Sequence, residues 1–190
     1  MPACWSSLPS TAQARSSGGR ICNPITCRLI LTRHAKSDWG EEDLTDHDRQ
    51  LNDRGRRDAP RVAAWLTAQG YMPDVTLCST ATRAQQTRAA MTDLPGAVDL
   101  RRALYLASAG RMLTELRQAP NGVVMMVGHN PGIADFAELL LARAPDHPRF
   151  HIYPTCSTLV AEFPVDHWTA VRPGTGTVLG FVTPADLRDA

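Results

Sequence analysis

Short apolar runs alternate with amphipathic segments along most of this chain, and that alternation limits what it can fold into. Leu29-Ile30-Leu31 sits inside a run at residues 25–32 that is bounded like a buried strand. Asp53 is placed to cap a helix reaching about Gln69, with Ala59, Val62, Ala63 and Leu66 on one face and Gly70 as the stop. Pro60 lies inside that span and predicts a kink or a division into two helices. Residues 74–78 read as a second strand, 81–91 as a helix, 97–100 as a short strand and 108–118 as a third helix. Val123-Val124-Met125-Met126-Val127 is the most apolar strand of the chain. Pro131 then stands in the favoured first turn of a helix. In that helix Ile133, Phe136, Ala137, Leu140 and Leu141 follow the i, i+3, i+4, i+7, i+8 pattern. Two strands close the chain, at 157–163 and 177–182, with residues 169–172 as a short strand between them. Strands apolar on both faces belong to a sheet covered by helices on both sides. The expected fold is α/β, a three-layer α/β/α sandwich around a mostly parallel sheet.

A chain of 190 residues suits one domain with a sizeable core. Residues 1–26 are rich in Ser, Pro, Gly and Arg, and no acidic residue precedes Asp38. They read as a disordered N-terminal tail, with a transit-peptide flavour but without the apolar stretch of a secretory signal. Residues 27–190 then form the single domain, with no internal repeat. A net charge of +1 argues against a dedicated nucleic-acid binder. No apolar run approaches the roughly 18 residues of a membrane span. The five cysteines, Cys4, Cys22, Cys27, Cys78 and Cys156, fall in no CxxC pattern, which speaks for a reducing, cytoplasmic setting and against a structural zinc site.

Ligands of open α/β sheets bind beyond the carboxyl ends of the strands, so the residues just after each strand carry the functional information. Arg33 and His34 follow the first strand. Ser79 and Thr80 follow the second, with Arg83 one turn into the next helix. Gly128, His129 and Asn130 follow VVMMV and lead into another helix. Two histidines, two arginines and small hydroxyl residues thus collect on one edge. Guanidinium forks make bidentate, charge-assisted contacts to phosphate oxygens, and helix N-termini add anion binding. A neutral imidazole can attack phosphorus and carry the group covalently, while a second histidine binds the transferring oxygens. No metal or other cofactor is required by this set, because His34 and His129 are flanked by an arginine and an asparagine rather than by carboxylates or cysteines. Of 20 basic residues all but Lys36 are arginine, and most of these are ordinary surface charges.

At these residues the chain resembles a known group. Leu31-Thr32-Arg33-His34-Ala35-Lys36-Ser37 is similar to the "RHG" signature of the histidine phosphatase superfamily, with alanine in place of glycine. The stretch from Ser79 to Thr87 resembles its "SSxxxRAxQT" element, and Gly128-His129-Asn130-Pro131 falls where its second histidine stands. Arg49-Gln50-Leu51-Asn52-Asp53-Arg54-Gly55 and the short chain most resemble the small phosphohistidine phosphatases of SixA type. The resemblance implies a phosphoglycerate mutase-like fold and a two-step phosphatase without a cofactor. His34 would be the nucleophile, and Arg33, Arg83 and His129 would bind the phosphoryl group together with it.

Larger members of that superfamily carry a glutamate after the third strand, where residues 101–108 read RRALYLAS and offer no carboxylate. The candidate proton donors move to the loop after His34, which holds Asp38, Glu41, Glu42, Asp43, Asp46 and Asp48; Asp46 and Asp48 are the preferred pair. A phosphoramidate nitrogen leaves more readily than a sugar alkoxide, so a missing strong acid suits phosphohistidine, borne for example on a partner protein. His47 reads as surface-exposed, and Arg54, Arg56, Arg57 and Arg61 as a solvated basic face. Trp39 either lines the pocket mouth or packs its loop, and Thr155 and Ser157 reach the site only if the strand that follows them adjoins the first. Three alternatives stay open: a small-metabolite phosphomonoesterase or mutase, a non-catalytic module that binds a phosphorylated ligand, and, remotely, a metal hydrolase. The oligomeric state is unspecified.

Overall fold

The computed structural model describes residues 27–40 and 44–188. The tail at 1–26, with Cys4 and Cys22, and the loop carboxylates Glu41, Glu42 and Asp43 lie outside them. The described strands are β1 (Cys27–Arg33), β2 (Val75–Ser79), β3 (Ala97–Arg101), β4 (Val123–Gly128), β5 (Thr158–Phe163) and β6 (Thr177–Val182). Between them run α1 (Asp53–Ala68), α2 (Thr82–Ala90), α3 (Ala109–Arg117) and α4 (Gly132–Leu140).

The six strands form one sheet in the order β3-β2-β4-β1-β5-β6. β1 pairs parallel with β4, and β2 parallel with both β3 and β4. β5 runs antiparallel to β1 and to β6, so it is the reversed strand of an otherwise parallel sheet. Alternate side chains of the central strands enter two separate cores, as the strand period requires. Leu29, Leu31, Val124 and Met126 pack with Met112, Leu116, Ile133 and Phe136 of α3 and α4. Ile30, Met125 and Val127 pack with Val62, Leu66 and Ala84 of α1 and α2 on the other face. These side chains are fully or almost fully buried, and each of them larger than alanine contributes on the order of 1.5–3 kcal/mol of transfer free energy. The three-layer α/β/α sandwich is thereby confirmed.

Three local expectations are corrected. Pro60 neither kinks nor divides α1, which runs unbroken over 16 residues. Pro60 lies on the exposed face, where the Arg56 carbonyl that loses its amide partner meets water. The cap of that helix is Asn52, whose side chain accepts from the Gly55 amide at 3.0 Å, and Asp53 falls in the first turn instead. Residues 169–172 form no strand. A 3₁₀ turn, Trp168–Ala170, uses their amides locally, Ala170 N donating to His167 O at 3.0 Å and Val171 N to Trp168 O at 3.2 Å. The basic face of α1 is also less free than expected, since Arg54 and Arg61 reach the buried Asp58 at 3.3 and 3.9 Å.

Two neighbouring central strands send their chains to opposite faces. β1 leads into α1 on one side and β4 into α4 on the other, which opens a crevice between their carboxyl ends. The long β1–α1 connection is strapped across this edge. Ser37 bridges to Leu51, Asp38 N donates to Gln50 O at 2.8 Å, and Asn52 N donates to Lys36 O at 3.1 Å. Gly55 permits that closure, because a Cβ there would overlap the Lys36 carbonyl oxygen. A second close approach involves Gly132 at the start of α4, where a Cβ would overlap the carbonyl oxygen of Ala107. The segment after β3 is thus seated against the helix that follows His129.

Candidate active site

His34 continues β1 by one residue, its amide donating to Gly128 O at 3.0 Å. Its ring Nδ1 lies 2.8 Å from the Ala35 carbonyl, which only accepts, so the proton is on Nδ1. Nε2 therefore carries a lone pair, and it accepts from Arg83 Nε at 3.3 Å. The same reasoning fixes His129. Its Nδ1 accepts from Arg83 Nη2 at 3.3 Å, so Nε2–H donates to Ser79 Oγ at 2.8 Å. The two rings stand 5.0 Å apart, with 7% of His34 and 2% of His129 exposed. Burial first, then His129, Arg83 and Arg33, pushes the His34 pKa down from 6.5 to about 3. Burial first, then Arg83, brings His129 to about 3 as well. Both imidazoles are neutral at physiological pH.

Arg83, from the first turn of α2, is the hub between them and is itself buried. Beyond the two rings, its Nη2 reaches Asp46 Oδ2 at 3.0 Å and its Nη1 donates to the Asp46 backbone carbonyl. Arg33 is placed differently. Its Nη1 donates to Tyr153 O at 2.9 Å, its buried Nε has no hydrogen-bond partner, and no carboxylate pairs with it among the described residues. An unpaired, half-buried guanidinium is costly unless an anion completes it.

These four side chains line one cavity of about 240 Å³, together with Lys36, Trp39, Asp46, Arg49, Asn130 and Thr155. Thr155 reaches it because β5 pairs with β1, and the Cys156 amide donates to the Arg33 and His34 carbonyls at 3.0 and 3.1 Å. Trp39 lines the cavity and carries the Arg49 guanidinium 3.6 Å above its ring. Among the described residues no group of three or more His, Cys, Asp and Glu is spaced to hold a metal ion.

The two carboxylates proposed from the sequence separate. Asp48 is exposed, binds Thr45 Oγ1 at 2.7 Å and His47 Nδ1 at 3.3 Å, and does not line the cavity. Asp46 does line it. Its Oδ1 accepts from Arg49 Nη2 at 2.6 Å and its Oδ2 from Arg83 and from the Tyr105 hydroxyl, the latter at 2.6 Å. Tyr105 first, then Arg83 and Arg49, holds the Asp46 carboxyl at about 2 against the opposing effect of burial. His47 is half-buried rather than exposed, with Nε2 3.0 Å from Thr80 Oγ1 and its ring 4.9 Å from that of Tyr105.

Arg49, which lines the cavity, and Tyr105, which meets Asp46 from beside it, are residues of the site that sequence reasoning missed. In the stretch RRALYLAS, which holds no carboxylate, the phenol of Tyr105 is the available signal. The RAQQT stretch, by contrast, has a clear structural use. Thr87 Oγ1 accepts from Ala35 N at 2.9 Å and donates to Arg83 O at 2.6 Å, and Gln86 Oε1 accepts from Leu51 N at 2.7 Å. These bonds tie α2 to both ends of the β1–α1 connection and so fix Arg83 against His34.

Comparison with known proteins gives a consistent picture. A sequence profile of the histidine phosphatase superfamily (branch 1) matches residues 29–105. An uncharacterised protein of Mycobacterium tuberculosis is 34% identical over 159 residues, covering 80% of this chain and 99% of that one. Among solved structures, a candidate SixA phosphohistidine phosphatase of Nakamurella multipartitia superposes with a TM-score of 0.72 at 26% identity, over 84% of this chain and 96% of that one. Its counterpart from Agrobacterium tumefaciens gives a TM-score of 0.68 at 28% identity, over 83% and 99%.

Proposed function

Because the chain belongs to the histidine phosphatase superfamily, we propose that it is a metal-independent phosphatase that carries the phosphoryl group on His34. The observation that supports this most directly is the Nε2 lone pair of His34, in a ring held neutral by burial and lining a cavity where Arg33 has no anion partner among the described residues. A phosphoryl group in that cavity takes Arg33 and Arg83 as its two guanidinium ligands. His34 Nε2 attacks phosphorus as the bond to the leaving group breaks, giving a phosphohistidine that retains the proton on Nδ1. Negative charge arriving beside His129 raises its proton affinity, so Nδ1 takes up a proton from solvent with the substrate and turns from an acceptor for Arg83 into a donor to the transferring oxygens. Asp46, a carboxylate in the free protein, takes up a proton from solvent as the phosphoryl group draws Arg83 away, passes it to the leaving atom and accepts one from the water that hydrolyses the intermediate.

The substrate is phosphohistidine, carried on a partner protein, or a chemically similar phosphoramidate. The SixA-type structures resembled by this chain favour that class. Neither a nucleic acid nor a membrane is required. The buried free thiols Cys27, Cys78 and Cys156 suit a reducing cytoplasm.

Acid-labile labelling tests the reading. A phosphohistidine peptide should leave a phosphoenzyme in the intact protein and none in His34→Gln, with phosphate release undiminished by chelator. Phosphate release that persists in His34→Gln would remove the mechanism. Equal turnover of an alkyl phosphate and the peptide would remove the substrate assignment.

A further inference from the structure

We propose that Tyr105 is a positioning residue for Asp46, so that a tyrosine after β3 and an aspartate of the β1–α1 connection together replace the acid absent from residues 101–108. The inference rests on the reading of Asp46 as the proton donor. Asp46 has nearly half of its side chain exposed (46%), and an aspartate so placed samples several rotamers unless it is held. Three groups hold it here: Arg83 and Tyr105 on Oδ2, and Arg49 on Oδ1.

The three holders are not equivalent once substrate binds. Arg83 has a competing ligand, because the phosphoryl oxygens arrive between it and the two histidines it now touches. Moving Arg83 onto the phosphoryl group frees Oδ2 of its cation and places an anion nearby; both changes raise the proton affinity of Asp46 against the hydrogen bond that Tyr105 keeps on it, and the carboxylate takes its proton from solvent as substrate binds. Arg49 remains on Oδ1, anchored over Trp39, so the proton is carried on Oδ2. Tyr105 is then the group that fixes the direction of that oxygen. When the bond from phosphorus to the leaving nitrogen or oxygen breaks, its electron pair stays on the leaving atom, which takes the Oδ2 proton. Asp46 is left as carboxylate, to accept a proton from the attacking water in the second step.

Tyr105 is suited to this because its own position is tied to the site. Its ring meets that of His129 edge-on at 5.6 Å and 87°, and that of His47 at 4.9 Å. Leu106, the next residue, has a left-handed φ of 48°. That turn brings the chain to the Ala107 carbonyl, which is pressed against Gly132. The phenol is therefore held from the same helix start that presents His129.

Tyr105→Phe removes the hydroxyl and keeps the ring. The measurement is kcat/KM for phenyl phosphate, a poor leaving group, and for p-nitrophenyl phosphate, a good one. An aimed acid matters for the first and little for the second. Tyr105→Phe should lower kcat/KM for phenyl phosphate by roughly 10- to 100-fold and for p-nitrophenyl phosphate by less than about 3-fold. Asp46→Asn should show the same selectivity with a larger loss, and adding Tyr105→Phe to it should cost nothing further. Equal losses on both substrates in Tyr105→Phe, or losses that multiply in the double variant, would overturn the role of Tyr105 while leaving Asp46 as the acid. A loss in Asp46→Asn that ignores the leaving group would overturn both.

Discussion

Replacing His34 and His129 by glutamine, singly and together, should remove a large part of the acid sensitivity of the fold. Each imidazole falls from 6.5 to about 3 on folding, chiefly by burial. Below pH 6.5 the unfolded chain takes up protons that the folded chain refuses, so stability falls as pH drops from there toward 3. One pH unit within that window is worth about 1.4 kcal/mol per histidine. Between about pH 7.5 and pH 5, allowing for partial titration near 6.5, each histidine accounts for about 2 kcal/mol and the pair for about 4 kcal/mol. That is a substantial share of the roughly 5–15 kcal/mol of a typical domain. Asp46 acts in the same sense but only between 3.8 and about 2, below this window. Urea unfolding at the two pH values measures the difference directly. The intact protein should lose about 4 kcal/mol more than the double variant and about 2 kcal/mol more than either single one. Contributions common to all variants cancel in that comparison. A double variant with the same pH dependence as the intact protein would refute the argument that the two rings are buried neutral.

Asp46→Asn should bind tungstate or inorganic phosphate several-fold more tightly, by roughly 5- to 10-fold, because the carboxylate no longer competes for Arg83 or repels the anion. Titration calorimetry at moderate salt checks this, and weaker binding would show that Asp46 is not displaced. Gly132→Ala should destabilise the fold by about 1–3 kcal/mol, since the added methyl must push back the Ala107 carbonyl. Its melting temperature and its kcat/KM should fall together, because the displaced segment carries Tyr105.

Much of the fold was open to reading because the sheet is covered on both faces. Leu29-Ile30-Leu31 and Val123–Val127 are apolar without alternation, which marks interior parallel strands, and both proved central. Arg33, His34, Arg83 and His129 were legible for a related reason: each stands immediately beyond a strand or in the first turn of the next helix, where topology brings separate segments to one edge. What escaped depends on contacts without a local sequence period. Tyr105 meets Asp46 across 59 positions, through loops whose paths are fixed by Gly55 and Gly132. Pro60 misled because the cost of a proline depends on whether the orphaned carbonyl faces protein or water, and one sequence does not say which. Asp48 and Asp46 are two residues apart in one polar loop, and the arginines and the tyrosine packed around the loop separate them.

Those arginines also raise a question of electrostatic cost. Arg33, Lys36, Arg49 and Arg83 line a cavity of about 240 Å³, and like charges so confined repel strongly where water is scarce. Two features relieve that repulsion in the free protein. Both imidazoles stay neutral and add nothing to it, and Asp46 bridges Arg49 and Arg83 with one oxygen on each. The carboxylate therefore offsets part of the positive charge before substrate arrives, while Arg33, which no carboxylate partners among the described residues, keeps the site attractive to an anion. A phosphoryl group that displaces Asp46 from Arg83 exchanges one anion for another, so net binding is weaker than the count of cations suggests. The same exchange leaves Asp46 with fewer cations at the moment its proton is needed. On the proposed mechanism one carboxylate serves as counter-ion in the free protein and as acid in the complex, and the group that must stay on its Oδ2 through both states is Tyr105.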